Sequence, residues 1–283
     1  MISITPSGES CGAVASGVDL TRPLDDPTVK SIRSAWLEHH VLVFPDQALG
    51  DEDFERFVGY IGPIGDDPFF EVVPGKKHIA AVQRDADETG RLFADIWHSD
   101  WSFMPTPPAA TCLFGITIPP VGGDTIFVNE HKALDEMPAN LRDRLNGKIG
   151  KHSARQAYSN DGQYAAGNFD GAMTIKTSDE AKAIHGHPLI RNHPETGRPG
   201  VFGGSYVFGL QSTPDDEANA LLADLNAWLD RPEFQYRHVW QANMLIMWDN
   251  RSVLHKATGG YEGHARLLHR LTVADNADYY LPA

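Results

Sequence analysis

The chain has 283 residues, 41% of them hydrophobic, with 24 Lys plus Arg against 38 Asp plus Glu and a formal net charge of −14. That length can bury one sizeable core, while so acidic a balance excludes a sequence-independent grip on nucleic acid, which needs Lys and Arg on phosphates. No apolar run reaches the ~18 residues of a membrane helix, residues 1–6 lack the basic start and apolar stretch of a signal peptide, and Cys11 and Cys112 are too few for a disulfide framework, so a cytoplasmic setting is expected.

Asp26-Pro27 is a helix start, an N-cap acid followed by Pro, and Val29, Ile32 and Trp36 follow at helical spacing until His39-His40. The apolar run Val41-Leu42-Val43-Phe44, closed by Pro45, reads as a buried strand. A second helix fits 51–60, with Phe54, Phe57 and Val58 on one face. Residues 111–118 are rich in β-formers and stop at Pro119-Pro120. The turn Gly122-Gly123-Asp124 then leads into a strand over 125–128. A helix pair broken near Pro138 covers 132–145. Residues 153–177, rich in Gly, Asn, Ser and Tyr, read as a lid loop. Thr213-Pro214-Asp215-Asp216 opens a helix whose stripe of Ala218, Leu221, Leu222, Leu225 and Trp228 belongs to the core. Strands over 244–248 and 266–273 close the chain. Many strands, few helices and no βαβ alternation predict a mainly β, α+β domain over 1–283: an antiparallel barrel or sandwich with helices outside.

Three pieces carry chemistry. In Trp97-His98-Ser99-Asp100-Trp101, a strand would place His98 and Asp100 on one face as adjacent metal ligands, although a surface His near an acid reads the same way. The segment Met247-Trp248-Asp249-Asn250-Arg251 runs from an apolar strand into a polar turn before His255. A distant third ligand of this kind would complete the two-His, one-carboxylate triad of non-haem Fe(II) oxygenases. The strand over 266–273 alternates, with Arg266, Leu268, Arg270 and Thr272 on one face and Leu267, Leu271 and Val273 on the other. Two Arg on an inner face are costly to bury unless anions meet them.

His98-Ser99-Asp100, Gly122-Gly123-Asp124-Thr125, Trp248-Asp249-Asn250-Arg251, His255 and Arg266, with Arg266 eleven and Arg270 fifteen residues after His255, resemble the taurine dioxygenase/2,4-dichlorophenoxyacetate dioxygenase family. The resemblance runs from Val41 through Phe103 and Pro107-Pro108 to Arg270. It implies a double-stranded β-helix (jelly-roll) core with flanking helices, and an Fe(II)- and 2-oxoglutarate-dependent dioxygenase that couples conversion of 2-oxoglutarate and O2 to succinate and CO2 with hydroxylation of a small anionic organic substrate. It further implies that His98, Asp100 and His255 bind iron. Arg266 and Thr125 would hold the distal carboxylate of 2-oxoglutarate, and Arg270 would meet the substrate anion. Asp100 points away from the halogenating branch of these enzymes. Taurine dioxygenase uses a His ahead of the metal motif to hold the sulfonate; here that segment reads Asp67-Pro68-Phe69-Phe70-Glu71, which points to a bulkier or more apolar anion than taurine. A homo-oligomer is the family expectation.

The remaining histidines read as scaffold: His185 and His187, His193 in a His-Pro-Glu-Thr-Gly turn, His39 and His40 at a helix end, and His269 opposite the two Arg. His152, His238 and His264 have no partner legible in the sequence, and Tyr158, Phe202 and Tyr206 are pocket candidates only. Two other readings compete. A metal-dependent hydrolase would use the same triad without O2 or 2-oxoglutarate and leave Arg266 idle. A non-catalytic jelly-roll would use the two Arg to hold an anion.

Overall fold

Seven strands form the largest sheet in the computed structural model, which describes residues 2–281; Met1, Pro282 and Ala283, the ends of the expected 1–283 domain and 1–6 segment, lie outside the described residues. Across the sheet the order is Ser3–Pro6, Ala13–Ser16, Val41–Phe44, Leu245–Asp249, Ala110–Thr117, Arg266–Val273 and Ala80–Arg84. Neighbours run antiparallel except Ala13–Ser16 beside Val41–Phe44. A second sheet places Thr125–Asn129 between Gln235–His238 and Val253–Ala257. The two sheets share one buried cluster, with Leu113, Ile246, Trp248 and Leu268 from the first and Phe127, Tyr236 and Val253 from the second.

Helices Asp26–His39 and Asp51–Ile61 cover the other side of the large sheet, so Ile32, Trp36, Phe54 and Phe57 pack with Leu42, Phe44, Met247 and Leu271. Strand Val41–Phe44 is therefore buried on both faces, which is why its four residues are uniformly apolar rather than alternating. Helix Asp215–Leu229 closes a separate cluster through Leu221, Leu222 and Leu225 against Leu134, Leu141 and Leu254. The molecule is mixed α and β, dominated by sheet.

Several expectations shift locally. The first helix is capped by Asp25, which accepts from the Thr28 N–H, rather than by Asp26. The helix pair is Glu130–Asp135 and Ala139–Leu145, with Pro138 at the second N-cap; Asn129 caps the first and so moves its start ahead of Lys132. Helix Asp215–Leu229 starts after Pro214 without a side-chain cap. Trp97–Trp101 is no strand: His98 makes a single antiparallel bridge with His255, and the chain turns from Asp100 onward. The 153–177 segment holds a short helix, Arg155–Tyr158, and a bridge from Ile175 to Phe70.

Buried titratable groups set the acid limit of this fold. Burial pushes His40, His152 and His238 each down to about 3, so the folded chain refuses protons that the unfolded imidazoles accept near 6.5. Burial pushes Glu130 up to about 8, so there the folded form keeps a proton that the unfolded carboxyl releases near 4.5. Between pH 6.5 and 4.5 these buried imidazoles favour unfolding while Glu130 alone works the other way, so stability falls as the pH falls through that window. Melting temperature is expected to fall steeply across that window in a calorimetric pH series; a flat profile would contradict the burial of these imidazoles.

Candidate active site

Two backbone hydrogen bonds bring the distant ligand segments together: the His98 N–H donates to His255 O at 3.0 Å and the His255 N–H to His98 O at 2.8 Å. The pairing sets the two imidazoles side by side, with ring centroids 4.2 Å apart. The turn after His98 then brings Asp100 alongside, its Oδ1 3.7 Å from His98 Nε2 and its Oδ2 3.8 Å from His255 Nε2. One ligand atom from each of the three residues lies within 4.8 Å of the others, close enough to converge on one divalent cation. Among the described residues this is the group of three His, Cys, Asp or Glu side chains with converging ligand atoms.

The protonation states suit metal binding. His98 Nδ1–H donates to Ile96 O at 2.8 Å, which leaves the Nε2 lone pair facing the site. The His255 ring is fixed by packing, 4.6 Å from Trp248 and 5.9 Å from Phe127. Burial lowers both imidazoles and keeps them neutral. Burial alone would raise Asp100, but Arg270, the two imidazoles and a hydrogen bond from Thr111 outweigh it and hold the carboxyl well below its usual range.

A relay orients Asp100. Thr111 Oγ1 donates to Asp100 Oδ2 at 2.6 Å and accepts from Asn250 Nδ2 at 2.9 Å, while Trp248 Nε1 donates to Asn250 Oδ1 at 2.9 Å. Oδ2 also accepts from Arg270, so Oδ1 is the unencumbered oxygen. Thr111→Val keeps the shape and removes the donor; it is expected to weaken divalent metal binding by about tenfold or more. A Mn(II) titration checks this, and unchanged affinity would show that the relay does not position the carboxylate.

Arg266 and Thr125 line the same cavity as the triad and Arg270. Arg266 is buried without a carboxylate: its Nη2 donates to Gly123 O at 3.2 Å and its Nε has no partner. Burial pulls the guanidinium down from its usual range, with no carboxylate in ion-pair contact among the described residues to offset it. Thr125 Oγ1 accepts from Trp240 Nε1 at 3.0 Å, which aims the hydroxyl proton elsewhere, and the indole ring lies 5.6 Å from the Arg266 Cζ. A cation fork and a directed hydroxyl donor thus face one end of the cavity. Phe70, Phe93, Tyr158, Tyr164, Phe169 and Tyr206 form its apolar wall.

The chemistry of the donor set, an open triad beside an unanswered buried Arg, is that of a metal and carboxylate site. The family model for the taurine catabolism dioxygenase TauD, TfdA family matches residues 3–272. The chain belongs to this family. It is 31% identical to an alkylsulfatase from Acinetobacter baylyi, over 93% of this chain and 82% of that protein. It is also 31% identical to the alpha-ketoglutarate-dependent 2,4-dichlorophenoxyacetate dioxygenase of Cupriavidus pinatubonensis, over 92% and 93% of the two chains. A taurine dioxygenase structure from Burkholderia xenovorans superposes with a TM-score of 0.78 at 31% identity, covering 97% of this chain and 90% of that one. The structure of AAD-2 in complex with Mn(II) and N-oxalylglycine gives 0.79 at 27% identity, covering 98% of each chain. As a TauD/TfdA member, the protein is a 2-oxoglutarate-dependent non-haem iron dioxygenase that uses Fe(II), 2-oxoglutarate and O2.

All six residues singled out in the sequence, His98, Asp100, Thr125, His255, Arg266 and Arg270, line one cavity. Of the three pocket candidates, Tyr158 and Tyr206 line it, whereas Phe202 stacks beneath Arg191 and His152. His185 and His187 are scaffold, bonded to the carbonyls of Phe103 and Met104 just past the metal segment, and His193 bonds Asp249. His152 has a partner after all, the Ser102 hydroxyl at 3.1 Å. Thr111 and Trp240 carry no motif, and Asn250 and Asp67 lie in segments singled out for the resemblance without a role of their own; all four reach their partners through sheet register and loop contacts.

Proposed function

We propose that His98, Asp100 and His255 hold Fe(II), that Arg266 and Thr125 hold the distal carboxylate of 2-oxoglutarate, and that the enzyme hydroxylates a small anionic organic substrate in the chamber beside Arg270. Arg266 carries the reading: a buried, unpaired guanidinium in the cavity of the triad needs an anion, and a hydrolase gives it no task. When bound, the iron supplies O2 activation coupled to conversion of 2-oxoglutarate to succinate and CO2. The chain contributes orientation: Arg266 and Thr125 fix the far end of the cosubstrate, so its keto acid end is presented to the triad before chemistry begins. Trp240 keeps the Thr125 hydroxyl donating toward that carboxylate. The aromatic wall excludes water and aligns the substrate carbon. Where that carbon bears oxygen, nitrogen or sulfur, the hydroxylated product breaks apart, so the enzyme cleaves such substrates.

The relatives named for alkyl sulfates, sulfate esters and 2,4-dichlorophenoxyacetate support an anionic substrate. The two facing sheets support a double-stranded β-helix core. Ala157, Tyr158, Gln163, Tyr164 and Phe169 reach the cavity from 153–177, which supports a lid role for that segment. Two buried free thiols, Cys11 and Cys112, suit a cytoplasmic setting. The reading is tested by screening sulfonates, aryloxy acids, sulfate esters and amino acids for substrate-dependent succinate release. Release that requires O2, 2-oxoglutarate and His98 is expected for one class; product formation without O2 would establish the hydrolase instead.

A further inference from the structure

Arg270 is not a free cation. Its Nε donates to Asp67 Oδ1 at 3.1 Å and its Nη1 to Asp100 Oδ2 at 3.1 Å, leaving only Nη2 buried without a partner. Asp67 Oδ1 also accepts from Trp101 Nε1 at 2.7 Å, so two donors converge on one carboxylate oxygen. Both side chains of the Arg270–Asp67 pair are almost wholly buried, at 5% and 10% exposure. Asp100 faces the metal triad, which leaves Asp67 as the carboxylate that answers Arg270 on its other side. The other cations of the cavity wall are paired too, Arg84 with Glu88 at 3.8 Å and Arg91 with Asp95 at 3.3 Å. Of the four Arg that line the cavity, Arg266 alone has no carboxylate partner among the described residues, and in the reading above it belongs to the cosubstrate.

We infer that Asp67 is a specificity-determining residue: by answering Arg270 it makes the substrate chamber charge-balanced, so a substrate is held there chiefly by its apolar body and its anionic group adds little affinity. An anion entering the chamber surrenders its hydration for one guanidinium contact, Nη2, while a carboxylate already occupies the same cation. The Phe70 and Trp101 rings, each 5.3 Å from the Arg270 Cζ, offer that anion no replacement donors on the flanks beyond an indole N–H that Asp67 has taken. Compact sulfonates and sulfates lose most by this; molecules that bury an aromatic-sized apolar body lose least. The inference rests on the assignment of the chamber beside Arg270 to the primary substrate.

A matched pair of probes tests it: phenylmethanesulfonate and its uncharged counterpart benzyl methyl sulfone, titrated calorimetrically into protein loaded with Mn(II) and N-oxalylglycine. The unaltered protein is expected to bind the two within about threefold of each other. Asp67→Asn should bind the sulfonate about tenfold tighter or more, with the sulfone unchanged, and Asp67→Glu should behave as the parent. A parent protein that prefers the sulfonate tenfold, failure of both probes to bind, or an Asn variant that leaves the ratio unmoved would each overturn the inference. The parent ratio needs no variant, so a poorly folded variant cannot shield it. Failure of N-oxalylglycine itself to bind would instead count against the Arg266 assignment on which the site rests.

Discussion

Arg266→Met is expected to raise the 2-oxoglutarate concentration for half-saturation by about 100-fold or more, the cost of removing one partner from a buried, hydrogen-bonded charge pair. Metal affinity should stay within about twofold of the parent, because neither Arg266 nor its partner Gly123 touches the triad. The empty variant should melt no lower than the parent in the absence of cosubstrate, since an unpaired buried guanidinium has been replaced by an apolar chain of similar length. Arg266→Lys should recover only part of the affinity, for an ammonium lacks the planar fork that meets both oxygens of a carboxylate. Steady-state succinate release against 2-oxoglutarate concentration, with calorimetry on the empty protein, reads both effects. A variant with unchanged half-saturation would remove the cosubstrate from this end of the cavity.

His255→Ala and Asp100→Ala are expected to abolish succinate release and to weaken Fe(II) binding by about 1000-fold or more, beyond the 10- to 100-fold typical of supporting residues. The two changes should differ elsewhere. His255→Ala leaves the backbone bridge between residues 98 and 255 intact, since it uses only main-chain atoms. Asp100→Ala strips Arg270 of one of its two carboxylates and leaves the Thr111 hydroxyl without its acceptor, so it should also lower thermal stability. Metal titration followed by thermal melts distinguishes them. Retention of metal-dependent turnover in either variant would displace the triad.

The sequence exposed the parts of this molecule that depend on local chemistry. Val41–Phe44 and Arg266–Val273 were legible to the residue, because one is uniformly apolar and the other alternates between buried Arg and apolar partners. Helix Asp51–Ile61 followed from Phe54, Phe57 and Val58 at helical spacing. The candidate metal residues stand out in the sequence through order and spacing, but what joins His98 and Asp100 differs from the strand expected. A strand alternation does not set them together; a single bridge to His255 followed by a turn does. Strands such as Ala80–Arg84 and Gln235–His238 leave no mark in the sequence, being short and lacking both turn signals and clean alternation. Asp67 lies in the segment 67–71, which has no counterpart of the family's sulfonate-binding His, but its pairing with Arg270 spans 203 positions and exists only in the folded chain.

Anaerobic titration of the Fe(II)-loaded protein with 2-oxoglutarate tests the metal and cosubstrate assignment most directly. One equivalent per chain should produce a weak visible charge-transfer band, and His98→Ala should show none. Absence of the band in the parent, or 2-oxoglutarate binding of equal strength with and without the metal, would contradict it.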